Sequence, residues 1–259
     1  HNTLKSAGIV SFLGIGYCLV GTFLILPPFL KKRYETVPET GLARDPFNRF
    51  RNMETYPRMF ARFKLKYDPM FAELGNLLPA DDEILTIIDI GCGYGVPGSW
   101  LLNRYPAATI HGIEPAPDRV RVAAMAFGAQ GRITRGSAPQ IPALPGTAEL
   151  AIMLDMHHFL DDAAFDLTLA RLWKKLAPGG GLILRAVIPP TRPRPWSWWF
   201  ENLKMKVAKT PAFYRSVAET AARLTAAGFE IEKQSPSGPH GELHWFIAKP
   251  TGKLTGGSH

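Results

Sequence analysis

Three glycines at alternate positions, Gly91, Gly93 and Gly95, follow Asp89 at the end of the apolar run Ile84–Ile90. Glycine lets a backbone approach a ligand where a side chain would collide, so this stretch reads as a turn built against a bound molecule. Counted as G-x-G-x-x-G from Gly91, the third glycine position holds Val96, and a dinucleotide pyrophosphate fits such a turn poorly. Glu114 stands 25 residues after Asp89, at the end of the apolar stretch from Ala107. An ionised carboxylate accepts hydrogen bonds on two oxygens and donates none, which suits a pair of hydroxyls. Asp155, His157 and His158 close a third apolar run, Glu149–Leu154. Imidazole, with an ordinary pKa of about 6.5, suits general-base work, and Asp155 would orient it or supply local charge. The two cysteines, Cys18 and Cys92, show no metal-ligand spacing and no disulfide framework.

These groups need a scaffold that brings strand ends together. The β-branched run before Asp89 predicts a strand buried on both faces of a parallel sheet. Pro97 predicts a helix start, since the first helical turn needs no amide hydrogen there. A helix from Pro117 to about Phe127, a loop through Ile133–Ala138 and a helix over Asp161–Leu176 follow. A strand over Leu182–Ile188, a helix over Tyr214–Ala227 and an antiparallel pair, 228–232 with 244–248, complete the order. Tyr67–Leu78 predicts a further helix ahead of the first strand. Acids at successive strand ends bracket the ligand crevice of a doubly wound sheet.

The D-x-G-x-G-x-G run from Asp89 resembles motif I of class I S-adenosylmethionine-dependent methyltransferases. Leu176-Ala177-Pro178-Gly179-Gly180-Gly181-Leu182-Ile183-Leu184 is similar to that family's helix-to-strand junction. The resemblance covers residues 67–250. It implies an α/β, Rossmann-like, doubly wound sheet of seven strands, parallel with one antiparallel strand, and S-adenosylmethionine as cofactor. It places Gly91, Gly93 and Gly95 on the methionine part, Asp89 toward the amino group and Glu114 on the ribose hydroxyls. Cys92, Tyr94, Pro115, Ser137, Ala138 and Asp155 complete the implied cofactor site; Ser137 stands where many relatives place an acid for the adenine amino group. The resemblance turns the end of the fourth strand toward the reacting methyl. There His157 or His158 acts as base or substrate contact, with Asp155 beside it, or an imidazole packs beneath the cofactor. Arg185, on the fifth strand, binds a substrate carboxylate or pairs with Asp155. In the insertion Pro189–Phe200, Trp196, Trp198 and Trp199 line an apolar substrate site, dip into a bilayer interface or pack as a lid.

The formal charge is +8, with basic residues concentrated between Lys31 and Lys66. They follow 25 uncharged positions, Ser6–Leu30, which as a helix would extend roughly 37 Å, enough to span a hydrocarbon core. A basic stretch there suits an anionic membrane surface and not nucleic acid. Residues 1–33 are expected to form a transmembrane helix, 34–66 an amphipathic basic and aromatic connector, 67–250 the methyltransferase domain and 251–259 a polar tail. Lys31-Lys32-Arg33 places the catalytic domain on the cytoplasmic side of a bacterial-type inner membrane. The connector lies in the head-group layer or packs on the domain. Gly21–Leu30 weakly resembles the last membrane helix of resistance-nodulation-division-type lipid exporters, which implies exporter or other helical partners and a larger fusion. The expected activity is O-methylation of a hydrophobic small molecule of fatty-acyl, aryl-polyene or quinone-like type. The alternatives are a non-catalytic regulatory or assembly module of a transporter and, disfavoured by Val96, a nicotinamide-dependent reductase.

Overall fold

The computed structural model describes residues 45–78, 84–189, 212–238 and 242–252. The apolar run of residues 1–33, the tryptophans Trp196, Trp198 and Trp199 and most of the polar tail lie outside the described residues. Among the described residues no helix is long and apolar enough to cross a membrane.

Seven strands form one sheet: β1 (Thr86–Ile90), β2 (Thr109–Glu114), β3 (Gly131–Arg135), β4 (Ala148–Leu154), β5 (Leu176–Val187), β6 (Phe229–Ser237) and β7 (Leu243–Pro250). Their spatial order is β3-β2-β1-β4-β5-β7-β6. β1 pairs in parallel with both β2 and β4, and the order reverses there. β7 runs antiparallel to both neighbours, β5 and β6, so one strand opposes the rest. The seven-stranded sheet expected from the motifs is the one observed.

The helices are α1 (Thr55–Tyr67), α2 (Met70–Leu77), α3 (Val96–Arg104), α4 (Pro117–Phe127), α5 (Asp162–Lys175) and α6 (Val217–Ala226). The central strands are mainly apolar because both faces are covered. Ile87, Ile152 and Ile183 join a core with α1 through α4, whereas Ile88, Met153 and Leu184 join one with α5 and α6. This is the two-residue alternation of a strand. α5 begins on Asp161, whose side chain accepts from the Ala164 amide at 2.8 Å. α6 begins on a reciprocal cap between Ser216 and Glu219.

The sequence spacing misplaces some boundaries. The helix expected over Tyr67–Leu78 begins at Met70, because Asp68 turns its side chain to accept the Met70 amide at 2.9 Å. β5 begins at Leu176, so the Pro-Gly junction belongs to the strand and crosses a register shift against β4. The compact unit begins at Asp45, well before residue 67. The part of the expected connector that is described packs on the domain, with Phe50, Met53 and Ala61 buried in the core.

The α3–α4 corner closes on one ring. A Cβ at Gly95 would meet the Phe127 ring at 2.9 Å and one at Gly98 at 2.5 Å, while one at Gly131 would strike the Phe127 Cβ at 2.4 Å. Small residues there let the first turn, α3 and β3 converge on Phe127.

Candidate active site

A cavity of about 650 Å³ opens where β1, β2 and β4 end, at the reversal in strand order. Crevices of doubly wound sheets form at this point because the loops on its two sides diverge. The turn after β1 forms the floor. The Gly91 and Cys92 amides both donate to the Ile113 carbonyl, at 2.9 and 3.2 Å, which ties this turn to the end of β2. Gly95 has φ +79°, a left-handed conformation that costs glycine least, and leads into α3. A Cβ at Gly93 would meet nothing within 4 Å, so this residue faces open space, whereas one at Gly91 would strike the Met156 side chain at 3.0 Å.

Glu114 is buried at the end of β2. Its Oε2 accepts the Gly93 amide at 3.0 Å and its Oε1 the Ala116 amide at 3.1 Å, with Arg119 3.8 Å from Oε1. Each oxygen keeps acceptor capacity, and the carboxylate borders the cavity. Asp89 is also buried, and its Oδ2 has no hydrogen-bond partner. Burial, and then the negative charge of Glu114, push its carboxyl up to about 7. Such an orphaned carboxyl favours a bound positive charge. Cys92, Tyr94, Pro115, Ser137, Ala138 and Asp155 all line this cavity with Gly91, Gly93 and Glu114. Asp89 and Gly95 sit behind the lining.

The far wall comes from α1, which supplies Tyr56, Phe60 and Lys64. Phe60 lies 5.2 Å and Tyr56 6.0 Å from the Tyr94 ring, and the Arg119 guanidinium lies 5.5 Å over that ring. Met70, Met156, Phe159 and Leu160 add apolar surface. The sequence signal for this wall, aromatic residues four apart, is the same one that suggests a connector helix.

The histidines do not reach the cavity. His157 is fully buried in the turn after β4, with its ring 5.7 Å from Phe165 and both ring nitrogens unpartnered. His158 stacks on Tyr214 at 5.7 Å. Burial, joined by the neighbouring His158 and Arg215, pushes His157 down to about 3; burial pushes His158 down to about 4, Asp155 partly opposing it. The turn that brings Phe159 and Leu160 to the cavity lining leaves both imidazoles buried and outside that lining. Both are neutral when folded, while an unfolded histidine gains a proton below about pH 6.5. Stability is therefore complete above that pH and falls as pH drops toward the folded values. Denaturant midpoints should decline between pH 7 and 5, and His157→Phe should flatten the decline; an unchanged slope would contradict the burial argument.

Arg185 is also committed elsewhere. It is 1% exposed on β5 and lies over the Trp245 ring at 5.4 Å. It donates to Asp155 through Nε at 2.6 Å and through Nη2. It also donates to both Asp68 oxygens, at 2.9 and 3.1 Å. Lys64 completes the cluster, 2.8 Å from Asp68 and 3.8 Å from Asp155. Burial alone would raise the Asp68 carboxyl, but Arg185 and Lys64 outweigh it and hold that carboxyl well below its ordinary range. Four of the five N–H donors of Arg185 are spent on these two carboxylates, and the side chain is buried away from the cavity lining. Its task is to hold Asp155, which has φ +57° at the cavity edge. Asp68 is the residue that sequence reasoning misses, since its partner Arg185 is 117 positions away.

A family model described as a methyltransferase domain matches residues 87–180, from β1 into β5. Among solved structures the chain is similar to mitomycin 7-O-methyltransferase, at 21% identity and TM-score 0.59, covering 76% of this chain and 56% of that one. Human N-acetylserotonin methyltransferase in complex with SAM matches at 19% identity and TM-score 0.57, over 83% of this chain and 60% of that one. A methyltransferase of calicheamicin biosynthesis in its SAH-bound form matches at 18% identity and TM-score 0.54, over 75% and 55%. The chain thus spans less than two thirds of the length of these structures, and at such identities the likeness is one of fold.

Proposed function

We propose that this chain, whose residues 87–180 match a family model described as a methyltransferase domain, uses S-adenosylmethionine to methylate an oxygen of a hydrophobic small molecule beside a membrane. The observation that carries this reading is one cavity with a glycine turn and a buried acceptor carboxylate on one side and aromatic residues on the other. Glu114 suits the ribose hydroxyls, the open side of Gly93 leaves room for the ligand backbone, and the unpartnered oxygen of Asp89 suits the cofactor's positive charge. S-Adenosylmethionine, when bound, supplies an activated methyl on a sulfonium leaving group.

The protein's share of such a reaction is alignment and exclusion of water. Tyr56, Phe60, Phe159 and Leu160 form an apolar surface for an acceptor. Lys64 lies in the same wall and presents positive charge to an acceptor oxygen carrying negative charge. An acceptor with an acidic hydroxyl, a phenol or carboxylic acid, arrives ionised or gives its proton to water, so the buried imidazoles are not needed as bases. Residues 1–33 act as the tether, and the basic run Lys31-Lys32-Arg33 keeps the catalytic domain on the cytoplasmic side of a bacterial-type inner membrane.

The test has two stages. Calorimetric titration with S-adenosylmethionine should give saturable heat; none would favour a non-catalytic module. Incubation of the membrane-reconstituted chain with methyl-labelled cofactor and a lipid extract should then yield a labelled, organic-soluble ether or ester by mass spectrometry. Label entering only water-soluble acceptors would defeat the hydrophobic-acceptor reading.

A further inference from the structure

Helix α1 carries three lanes along its length. Pro57 and Ala61 face the core, with Leu65 packed against it. Arg58, Arg62 and Lys66 form a second lane at fourfold spacing. Tyr56, Phe60, Phe63 and Tyr67 form the third and are 67%, 37%, 41% and 60% exposed. Spacings of four, three and four place these rings on one helical face. They pair along it, Tyr56 with Phe60 at 6.5 Å and Phe63 with Tyr67 at 5.9 Å between centroids. Thr55–Tyr67 holds no acidic residue. A globular protein seldom leaves four aromatic rings in a row exposed without a partner surface.

We propose that this face docks on an anionic lipid bilayer, with the aromatic lane in the head-group layer and the basic lane against lipid phosphates, so that the cavity receives its acceptor from the bilayer. Charge complementarity selects this occupant. Aromatic rings favour the polar-apolar boundary, and cations beside them gain from the negative surface potential. The same chain carries 25 uncharged positions ending at Leu30, closed by three consecutive cations, which would keep α1 close to a membrane. Tyr56 and Phe60 belong both to the exposed lane and to the cavity wall, so the lane runs without a break from surface to site. This inference rests on the membrane-tether reading above and adds to it a contact face and a route.

The test uses the full chain in bilayer nanodiscs, either of phosphatidylcholine alone or with phosphatidylglycerol added. A nitroxide is attached at Phe63→Cys or, as a reference on the opposite side of the sheet, at the exposed position Leu167→Cys. Both variants are made in a Cys18→Ser background, where the remaining Cys92 is buried. Collisions with oxygen report lipid and those with a nickel chelate report water. In anionic discs the label at 63 should favour oxygen over nickel by roughly fivefold relative to the label at 167. Arg58→Gln, Arg62→Gln and Lys66→Gln together, or high salt, should reverse that preference, each charge contributing roughly a fivefold change in partition. Equal nickel access at both positions would overturn the proposal. Exclusion of both reagents at 63 would overturn it too, by showing that protein covers the lane. Cofactor titration of the same samples reads the methyltransferase assignment separately, because neither 63 nor the three cations line the cavity. A chain that stays in the disc with a wet label would keep the tether and lose the docking.

Discussion

Glu114→Ala is expected to weaken S-adenosylmethionine binding by about 100-fold or more. Two hydrogen bonds to a charged acceptor contribute on the order of 1.5–3 kcal/mol each, and alanine removes both. The loss extends to the floor, because Glu114 also receives the Gly93 amide, which holds the turn after β1 against the end of β2, and the Ala116 amide of its own loop. Glu114→Gln separates these effects. It keeps one acceptor oxygen and the side-chain shape but loses the charge, and should fall between wild type and alanine. Calorimetry with both variants, alongside denaturation midpoints, distinguishes lost ligand contact from a collapsed turn. Alanine binding the cofactor within a few-fold of wild type would remove Glu114 from the ribose position.

Arg185→Met should lower stability by about 3 kcal/mol and the thermal midpoint by roughly 10 °C. Methionine fills similar space but leaves Asp68 and Asp155 facing each other with Lys64 as the cation beside them. The Trp245 ring loses its cation, while its indole hydrogen bond to Glu73, at 2.7 Å, remains. Arg185→Lys should recover little, since one ammonium cannot make two forked pairs. As pH falls through the ordinary carboxylate range, unfolded Asp68 gains a proton before folded Asp68 does, so wild type loses stability there and Arg185→Met loses less. A midpoint unchanged by Arg185→Met would show that the cluster adds nothing net to the fold. A cofactor affinity that falls while folding holds would instead mark Asp155 as the element that Arg185 positions.

Much of the frame is written in local sequence. The strand before Asp89, the glycine turn and the acid at the end of β2 each follow from a few adjacent residues, and the sheet that joins them follows from their order. The parts that escape are those in which distant segments share a task. α1 is amphipathic on its own terms, and nothing in Thr55–Tyr67 says that Tyr56 and Phe60 meet Tyr94 of the glycine turn. Asp68 precedes a proline and accepts the Met70 amide where α2 begins, yet it also grips Arg185. For His157 and His158 the residue types suit a base, but a three-residue turn decides which side chains enter the cavity, and it chooses Phe159. The extent of β6 and β7 escapes as well, because a strand paired at the rim carries exposed, polar positions that resemble loop.

The corner at Phe127 ties the history of four positions together. One benzyl group occupies the room that methyl groups at 95, 98 and 131 would need, so no member of the set can drift alone. A lineage that trimmed the ring would ease the crowding at Gly98, while Gly95 would keep its left-handed backbone and Gly131 its contact with the Phe127 Cβ; one that gained a side chain first would have to move the helix that follows the glycine turn. Divergence at this corner proceeds in concert, and the turn that meets the ligand inherits its shape from a residue that never touches it.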